Sequence, residues 1–295
     1  MIAGRRTSAT QRREGLARSA TGTSKGCATI APLLDHGYNL LGRVARASRT
    51  RGRVSLAQLL VRYPTFLTYR DTLGFVRHTS LNERLEACWF LGVDWCLLPR
   101  AVVERIPAGT TAIDAGANIG IVTSQLCRAV GARGMVHAIE PLPANVDRLR
   151  ELKRDNDLDQ LTIWDCALSD KEGSAILRTQ GVTGTSAYAS LTASWNTAAT
   201  VSIATRVLDD IVPSDTRVGF IKLDVEGAEY LVLEGAKRIM TSDRPLVFCE
   251  FNDVVLRDAG SSSKELLGKF ESLGYKSAAE YPQGDAIRDR LLIPE

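Results

Sequence analysis

The chain has 295 residues, of which 44% are hydrophobic and 24% are charged, a composition typical of a soluble globular protein. This length is sufficient for one large α/β domain with an extension. No apolar run approaches the roughly 20 residues of a membrane-spanning helix, so we expect no transmembrane segment and a cytoplasmic location.

The charge of the chain is distributed unevenly. Residues 1–53 contain eleven Lys or Arg residues and two acidic residues, so they are strongly basic although the whole chain carries only +3. The first 26 residues are rich in Arg, Ser, Thr and Gly and have no hydrophobic periodicity. We therefore expect residues 1–54 to form a disordered basic tail. A transit peptide, a nucleic-acid-binding arm and a contact with an anionic surface are the functional alternatives to a plain solvated tail.

Residues 55–106 are expected to form a helical N-terminal extension that packs on a main domain spanning 107–295. Helical periodicity recurs three times in this part of the chain, separated by Pro64 and Pro99.

From residue 111 onward, predicted strands and helices alternate, which indicates a parallel sheet with helices on both faces. A Gly/Ser/Thr/Ala-rich segment at 181–200, which contains Trp195, interrupts the alternation and is long enough to be a functional loop. The turn sequence at 282–285 predicts a closing hairpin. The predicted strands are 111–114, 135–140, 161–168, 218–224 and 245–250, and the predicted helices are 119–131, 143–156, 229–240 and 264–273.

The first predicted strand leads into a turn that contains Gly116 and Gly120. Glycine lets the main chain come close to a ligand, because a Cβ atom would hold the ligand away. Asp114 closes this strand, and Glu140 closes the next one on the order of 20 residues later, the spacing at which a carboxylate meets the ribose of an adenosine ligand. The pattern predicts an adenosine-containing cofactor.

Five predicted strands end in an acidic residue, and in an open parallel sheet these ends lie around the ligand cleft. Such an acid also commonly caps the following helix. The turn lacks the three-glycine phosphate fingerprint and has Asp114 beside it, which disfavours the pyrophosphate of NAD and favours the cationic S-adenosylmethionine. An NAD-dependent oxidoreductase and a non-catalytic binding module remain as alternatives. The five acids are Asp114, Glu140, Asp165, Asp224 and Glu250.

The fourth predicted strand ends in a block with Lys222, Asp224 and Glu226. Alternation along a strand directs Lys222 and Asp224 to the same side. Asp224 is a candidate general base, with helix capping as the equally weighted alternative. Asp224, Glu250 and Asn252 could together supply oxygen ligands to Mg²⁺, but we give this low weight and predict no metal site.

Six ordered sequence blocks resemble the FkbM family of S-adenosylmethionine-dependent methyltransferases. The likeness extends over roughly residues 100–295 and includes the closing LLIP at 291–294. The blocks are IDAGANIG (113–120), AIEP (138–141), ALSD (167–170), VLDD (207–210), IKLDVEGAE (221–229) and PLVFCE (245–250).

This resemblance implies a class I methyltransferase fold, a Rossmann-like, seven-stranded, doubly wound sheet, and methyl transfer to a hydroxyl of a sugar, a glycolipid or a natural product. It places the methionine part of the cofactor at the turn, the ribose at Glu140 and the adenine at 165–167. The implied cofactor-binding residues are Asp114, Gly116, Ala117, Asn118, Gly120, Glu140, Asp165, Cys166 and Ala167. The candidate catalytic residues are Lys222, Asp224, Glu226 and Glu250.

The expected partner is a small-molecule or glycan acceptor. A nucleic-acid substrate is disfavoured because the region after residue 53 is net acidic, which opposes phosphate binding, and because it lacks a Pro-Pro-aromatic methylation block. The sequence leaves the oligomeric state open, with a homodimer as one option.

Overall fold

A computed structural model describes residues 31–48, 52–60, 66–81, 84–93, 97–179, 189–190 and 199–295. Most of the basic tail, most of the segment 181–200 and Trp195 lie outside these residues. Among the described residues, no helix combines the length and the apolar character that crossing a bilayer requires.

The chain forms a helix at 31–48, within the segment 1–54 that is expected to be disordered, because Tyr38, Leu41 and Ala45 recur at helical spacing and pack in an apolar cluster of the extension. We therefore include residues 31–54 in the N-terminal extension, whose described residues form four helices and two strands. Its elements are α1 (Ala31–Ser48), α2 (Arg53–Leu60), β1 (Phe66–Arg70), β2 (Val76–Ser80), α3 (Arg84–Phe90) and α4 (Arg100–Val103). The helical expectation for 55–106 is therefore incomplete, because β1 and β2 form an antiparallel hairpin within it. The alternation of exposed and buried side chains along β1 is a strand pattern that accounts for this difference.

The main domain alternates strands and helices as its sequence predicts. Its elements are β3 (Thr111–Ala115), α5 (Ile121–Val130), β4 (Met135–Ile139), α6 (Pro143–Asp155), β5 (Leu161–Trp164), β6 (Ala167–Leu168), β7 (Gly173–Thr179), β8 (Ala189–Ser190), β9 (Ala199–Arg206), α7 (Leu208–Ile211), β10 (Val218–Leu223), α8 (Glu229–Glu234), a π-helical turn (Ile239–Asp243), β11 (Leu246–Asn252), α9 (Asp253–Asp258), α10 (Ser263–Ser272), β12 (Tyr275–Pro282) and β13 (Ile287–Pro294).

Seven strands form the central sheet in the order β12-β13-β11-β10-β3-β4-β5. Strands β3, β4, β5, β10 and β11 are parallel, whereas β13 runs antiparallel to β11 and pairs with β12 in the closing hairpin. The seven-stranded α/β expectation is confirmed. The strand order reverses between β3 and β10, so the carboxyl ends of these two strands border the crevice where open α/β sheets bind ligands.

Separate apolar clusters cover the two faces of the sheet. Along β3, Ala112 packs in one cluster and Ile113 in the other, because successive strand residues point to opposite faces. The extension has its own cluster, which includes Trp89 and Phe90, and Ile121 at the start of α5 also belongs to it. The extension is therefore joined by packing to the helix that follows the glycine turn.

The predicted strand 161–168 is divided between two sheets. Residues 161–164 pair with β4, but Ala167 and Leu168 pair with β9 in a four-stranded sheet of order β6-β9-β7-β8. The predicted helix 229–240 also divides. It ends near Gly235, where an added Cβ atom would lie 2.3 Å from the Ser169 carbonyl oxygen, so the chain there passes too close to β6 for a larger residue.

Gly116 is required by the fold itself. Its φ is +77°, and a Cβ atom added there would lie 1.8 Å from the carbonyl oxygen of Asp224, at the end of β10. The glycine thus allows the turn after β3 to approach the neighbouring strand. The sequence indicates this glycine as a point of ligand approach, and the structure supplies a second reason for it that does not need a ligand.

We predict that Gly116→Ala lowers the free energy of unfolding by about 3 kcal/mol, because backbone strain and a collision act together. Gly109→Ala is the matched control: Gly109 has the same φ of +77°, but nothing lies within 4 Å of its added Cβ atom. We expect the control to lose only about 1 kcal/mol. Urea unfolding of both variants measures these free energies. Equal losses of stability would show that the added Cβ atom at position 116 does not collide with the Asp224 carbonyl oxygen.

Candidate active site

A cavity of about 560 Å³ opens at the carboxyl ends of the central strands. This volume is typical of a small-molecule site. The turn after β3 and the ends of β4, β10 and β11 contribute to its wall. Leu85, Leu97 and Leu98 of the extension and Leu177 of the small sheet add apolar surface. The wall of the cavity therefore includes residues from the extension and the small sheet as well as from the central sheet.

The structure brings most of the predicted cofactor-binding residues to this cavity. Asp114, Gly120 and Asp165 are not among the residues that line it. Asp114 is completely buried beneath the turn, whereas the side chain of Asp165 is 50% exposed and its Oδ2 lies 3.4 Å from Nη2 of Arg150. The predicted residues that line the cavity are Gly116, Ala117, Asn118, Glu140, Cys166 and Ala167.

Glu140 holds the turn against the end of β4. Its Oε2 accepts a hydrogen bond from the backbone N–H of Asn118 at 2.8 Å, and its Oε1 accepts one from the N–H of Leu142 at 2.9 Å. The side-chain amide of Asn145 donates a third at 3.3 Å. Burial raises the pKa of Glu140, although these donors act in the opposite direction. The carboxyl therefore sits in a preformed, well-supported position at the cavity wall.

Lys222 connects β3 and β10 at the floor of the cavity. Its Nζ donates to the Gly116 carbonyl oxygen at 2.8 Å and lies 3.1 Å from Oδ2 of Asp224 and 3.8 Å from Oδ1 of Asp114. Burial acts to lower the pKa of Lys222, but Asp224 and Asp114 outweigh it, so the pKa is raised and the ammonium stays charged. Lys222 and Asp224 therefore share one side of the strand, as alternation predicts.

Asp114 is a buried ion-pair partner of this lysine. Its Oδ2 accepts a hydrogen bond from the hydroxyl of Thr123 at 2.6 Å, and its Oδ1 has no hydrogen-bond partner among the described residues. Burial raises the pKa of Asp114, while the charge of Lys222 acts to lower it. The position of Asp114 makes it a partner of Lys222 and not a residue of the cavity surface.

Further carboxyl groups surround the cavity beside Asp224. Burial, followed by repulsion from Asp224, raises the pKa of Glu226 to about 8 and that of Glu250 to about 10. Oε2 of Glu250 is buried without a hydrogen-bond partner among the described residues. Glu226 has a positive φ of 54°, a strained conformation that is more frequent at functional sites.

Asp289 is a cavity residue that sequence reasoning missed. It lies on β13 directly opposite Glu250 of β11, and burial raises its pKa to about 6. Its Oδ2 accepts a hydrogen bond from the side-chain amide of Gln283 at 2.8 Å. The closing hairpin was visible in the sequence, but its register against β11, which brings Asp289 beside Glu250, was not.

Glu229 accepts hydrogen bonds from the backbone of the loop after β10, and the sequence analysis did not single it out. Its Oε1 accepts hydrogen bonds from the backbone N–H groups of Val225 at 3.0 Å and Gly227 at 3.2 Å. The N-cap of α8 is Ala228, and no side chain of the described residues caps this helix. The capping alternative for Asp224 is therefore not realised, and its side chain, 36% exposed, lies at the cavity surface instead.

The residues considered for Mg²⁺ are only partly arranged as ligands. Asn252 uses its Oδ1 to accept a hydrogen bond from the N–H of Val254 at 3.2 Å, as the N-cap of α9. Lys222 already places a positive charge beside Asp224. Within the part of the chain that the structure describes, no three His, Cys, Asp or Glu side chains converge as they would around a metal ion.

Comparison with solved structures finds methyltransferases of low sequence identity. A methyltransferase FkbM from Methylobacillus flagellatus KT shares 20% identity at a TM-score of 0.45, and the match covers 63% of this chain but only 44% of that protein. A SAM-dependent methyltransferase from Aquifex aeolicus shares 14% identity at a TM-score of 0.39, with coverages of 64% and 84%. A putative rRNA methylase from Clostridium thermocellum shares 12% identity at 0.43, with coverages of 66% and 90%.

No curated protein matches the chain. The family model described as "Methyltransferase FkbM domain" matches residues 114–277, more than half of the chain. The matched region starts at Asp114 and contains the glycine turn, Glu140 and the block from Lys222 to Glu229. The chain therefore belongs to the FkbM family of methyltransferases.

Proposed function

We propose that this protein transfers a methyl group from S-adenosylmethionine to a hydroxyl oxygen of a sugar, a glycolipid or a natural product. The observation that carries this proposal is the crowding of carboxyl groups around a cavity at the strand-order reversal. Asp224, Glu226, Glu250 and Asp289 line this cavity together with Lys222.

The charge balance of the cavity favours a cationic ligand. Lys222 is already matched by Asp114 and Asp224, so it does not neutralise the remaining carboxyls. The raised pKa values of Glu226 and Glu250 show that these groups resist ionisation beside Asp224. A bound positive charge would relieve this repulsion, whereas the phosphates of a dinucleotide would increase it. Family membership likewise leaves the oxidoreductase alternative without support.

The residues present fit S-adenosylmethionine, which carries a sulfonium and an ammonium group and supplies an activated methyl group. We assign the ribose to Glu140, whose carboxyl lies at the cavity wall, and the methionine part to Gly116, Ala117 and Asn118. Cys166 and Ala167 would border the adenine. The unpartnered Oε2 of Glu250 is the kind of buried acceptor that a ligand's ammonium group could satisfy.

Asp224 is the residue that we assign to the acceptor. Lys222 holds its Oδ2, and the carboxylate remains partly exposed at the cavity surface. From this position Asp224 would accept a hydrogen bond from the acceptor hydroxyl and take its proton during transfer. Because methyl transfer depends strongly on alignment, orienting the hydroxyl would itself contribute much of the acceleration. Glu226 and Glu250 would set the electrostatic surroundings of this step.

A ligand-binding experiment tests the cofactor assignment. S-adenosylmethionine or S-adenosylhomocysteine at about 100 times its Kd should stabilise the folded protein by roughly 2.7 kcal/mol, and NAD should not. We predict that Glu140→Gln weakens binding of either ligand about tenfold in calorimetric titration, because it removes a charge-assisted acceptor.

Glu151→Gln is the control for this titration, since Glu151 lies on α6 and pairs with Arg148 outside the cavity. Its affinity should equal that of the unmodified protein. Stabilisation by NAD instead of the sulfonium compound would overturn the proposed function. Unchanged affinity in Glu140→Gln would remove only the assignment of Glu140.

We predict that Asp224→Asn slows methyl transfer by about 100-fold or more, because the amide cannot take a proton, and changes cofactor affinity much less. Transfer of labelled methyl groups to a panel of sugars, glycolipids and natural products supplies the measurement. Asp285→Asn is the control, since Asp285 is an exposed residue of the turn between β12 and β13. Full turnover in Asp224→Asn would mean that Asp224 does not act on the acceptor.

The raised pKa values also predict how stability depends on pH. A carboxyl whose pKa is higher in the folded state stabilises that state at low pH, and this contribution is lost as the pH rises through the folded pKa. The free energy of unfolding should therefore fall as the pH rises above 4.5, the ordinary pKa of glutamate, until about 8 for Glu226 and about 10 for Glu250, by up to about 1.4 kcal/mol per pH unit for each group.

Glu250→Gln should make this fall shallower, because Glu250 has the pKa of about 10 and its amide replacement cannot ionise. Urea unfolding at several pH values measures the effect. Glu271→Gln, an exposed position on α10, serves as the control and should leave the slope unchanged. An equal slope in Glu250→Gln and the unmodified protein would show that Glu250 does not resist ionisation.

A further inference from the structure

A buried arginine of the extension reaches the backbone of the turn in the proposed cofactor site. Arg77 lies on β2 and is 7% exposed. Its Nη1 donates to the carbonyl oxygen of Ile119 and its Nη2 to that of Gly120, each at 3.0 Å. Nη2 also donates to the hydroxyl of Ser124, in the first turn of α5. One side chain thus holds both carbonyls at the point where the turn becomes a helix.

Asp71 fixes the direction of this arginine. Its Oδ2 accepts a hydrogen bond from Nε of Arg77 at 3.0 Å, and its Oδ1 accepts from the backbone N–H groups of Leu73 and Phe75, each at 2.9 Å. The tip of the β1–β2 hairpin is thereby built around the same carboxylate. The guanidinium is a planar fork, so fixing Nε determines where its other N–H groups point.

The segment held by Arg77 has an unusual backbone. Gly116, Asn118 and Gly120 all have positive φ, between 50° and 82°. On its other side the turn is held by Glu140, which accepts from Asn118, and by the Ile139 carbonyl oxygen, which accepts from Gly116 and Ala117. The turn is thus held from β4, from Lys222 of β10 through the Gly116 carbonyl oxygen, and from the extension, where Arg77 holds its last two carbonyls.

Anchoring the extension does not by itself need a buried ion pair. Ile121 already packs in the apolar cluster of the extension, with Ile119 against it. A buried ion pair is often no more stabilising than apolar residues of the same volume, because both charges lose their hydration. Arg77 instead fixes the positions of the carbonyl oxygens of Ile119 and Gly120, which packing alone does not.

We propose that Arg77, oriented by Asp71, is a positioning residue for the cofactor turn, so that the extension is a working part of the cofactor site. This inference rests on the proposed function in assigning the turn to S-adenosylmethionine. Removal of Arg77 should loosen the turn and weaken cofactor binding, while the cavity carboxyls stay in place.

The test compares Arg77→Met with Arg148→Met in the full chain. Arg148 also joins the main domain to the extension, with its Nη2 3.4 Å from Oε2 of Glu86, and its side chain is 13% exposed, but its hydrogen bonds go to Glu86 and Glu151 and not to the backbone of the turn. Hydrogen exchange of the backbone amides at 116–121, measured without ligand, reports the order of the turn. Titration with S-adenosylhomocysteine reports its consequence.

We expect Arg77→Met to speed amide exchange at 116–121 and to weaken S-adenosylhomocysteine binding about tenfold or more. Arg148→Met should do neither, and Arg77→Lys should recover part of the affinity, since an ammonium donates without the fork. Equal losses of affinity in Arg77→Met and Arg148→Met would overturn the proposal, because a general loosening of the extension would then explain them. Unchanged exchange and affinity in Arg77→Met would also overturn it.

Two further outcomes are separable. Should Arg77→Met fail to fold, Asp71→Asn keeps the arginine and removes its charged partner, and it should shift exchange and affinity in the same direction. If the unmodified chain does not bind S-adenosylhomocysteine, the proposed function fails. The exchange measurement then still decides whether Arg77 orders the turn.

Discussion

The site depends on one ion pair network, in which the ammonium of Lys222 lies between Asp114 and Asp224 and donates to the Gly116 carbonyl oxygen. These contacts join the carboxyl ends of β3 and β10, the two strands between which the sheet order reverses. The reversal opens a crevice there, because the connections leave the two strands in opposite directions. Lys222 and the close approach of Gly116 to Asp224 hold the ends of these two strands together at the crevice.

The same network determines the charge that a ligand meets. Burial raises the pKa of Glu226, Glu250 and Asp289, and the charge of Asp224 raises each of them further. Asp224 itself contacts the lysine and remains partly exposed. The contact with Lys222 thus makes Asp224 the carboxylate suited to contact a hydroxyl group. The other carboxyl groups of the cavity are the ones whose ionisation a nearby cation would favour.

The sequence predicts those parts of the fold and site that depend on local pattern. Buried strands and amphipathic helices of the main domain follow from periodicity, and the strand ends that carry Glu140 and Asp224 follow from their positions. Asp289 could not be found in this way, because it meets Glu250 only through the antiparallel register of β13. Asp165 is the opposite case, because the sequence identifies the strand end at which it lies but not the direction of its side chain. The following Ala167 pairs in another sheet, and the side chain of Asp165 lies beside Arg150. The role of Arg77 could not be predicted either, because it depends on contacts with residues more than 40 positions along the chain.

The cavity wall divides according to the family match. The glycine turn, Glu140 and the block at 222–229 lie within residues 114–277, whereas several other lining residues lie before or after this range. Those outside it are Leu85, Leu97, Leu98, Gln283, Ile287 and Asp289. The apolar leucines of the extension and the polar end of the closing hairpin therefore complete a cavity whose carboxyl-lined part comes mainly from the family region.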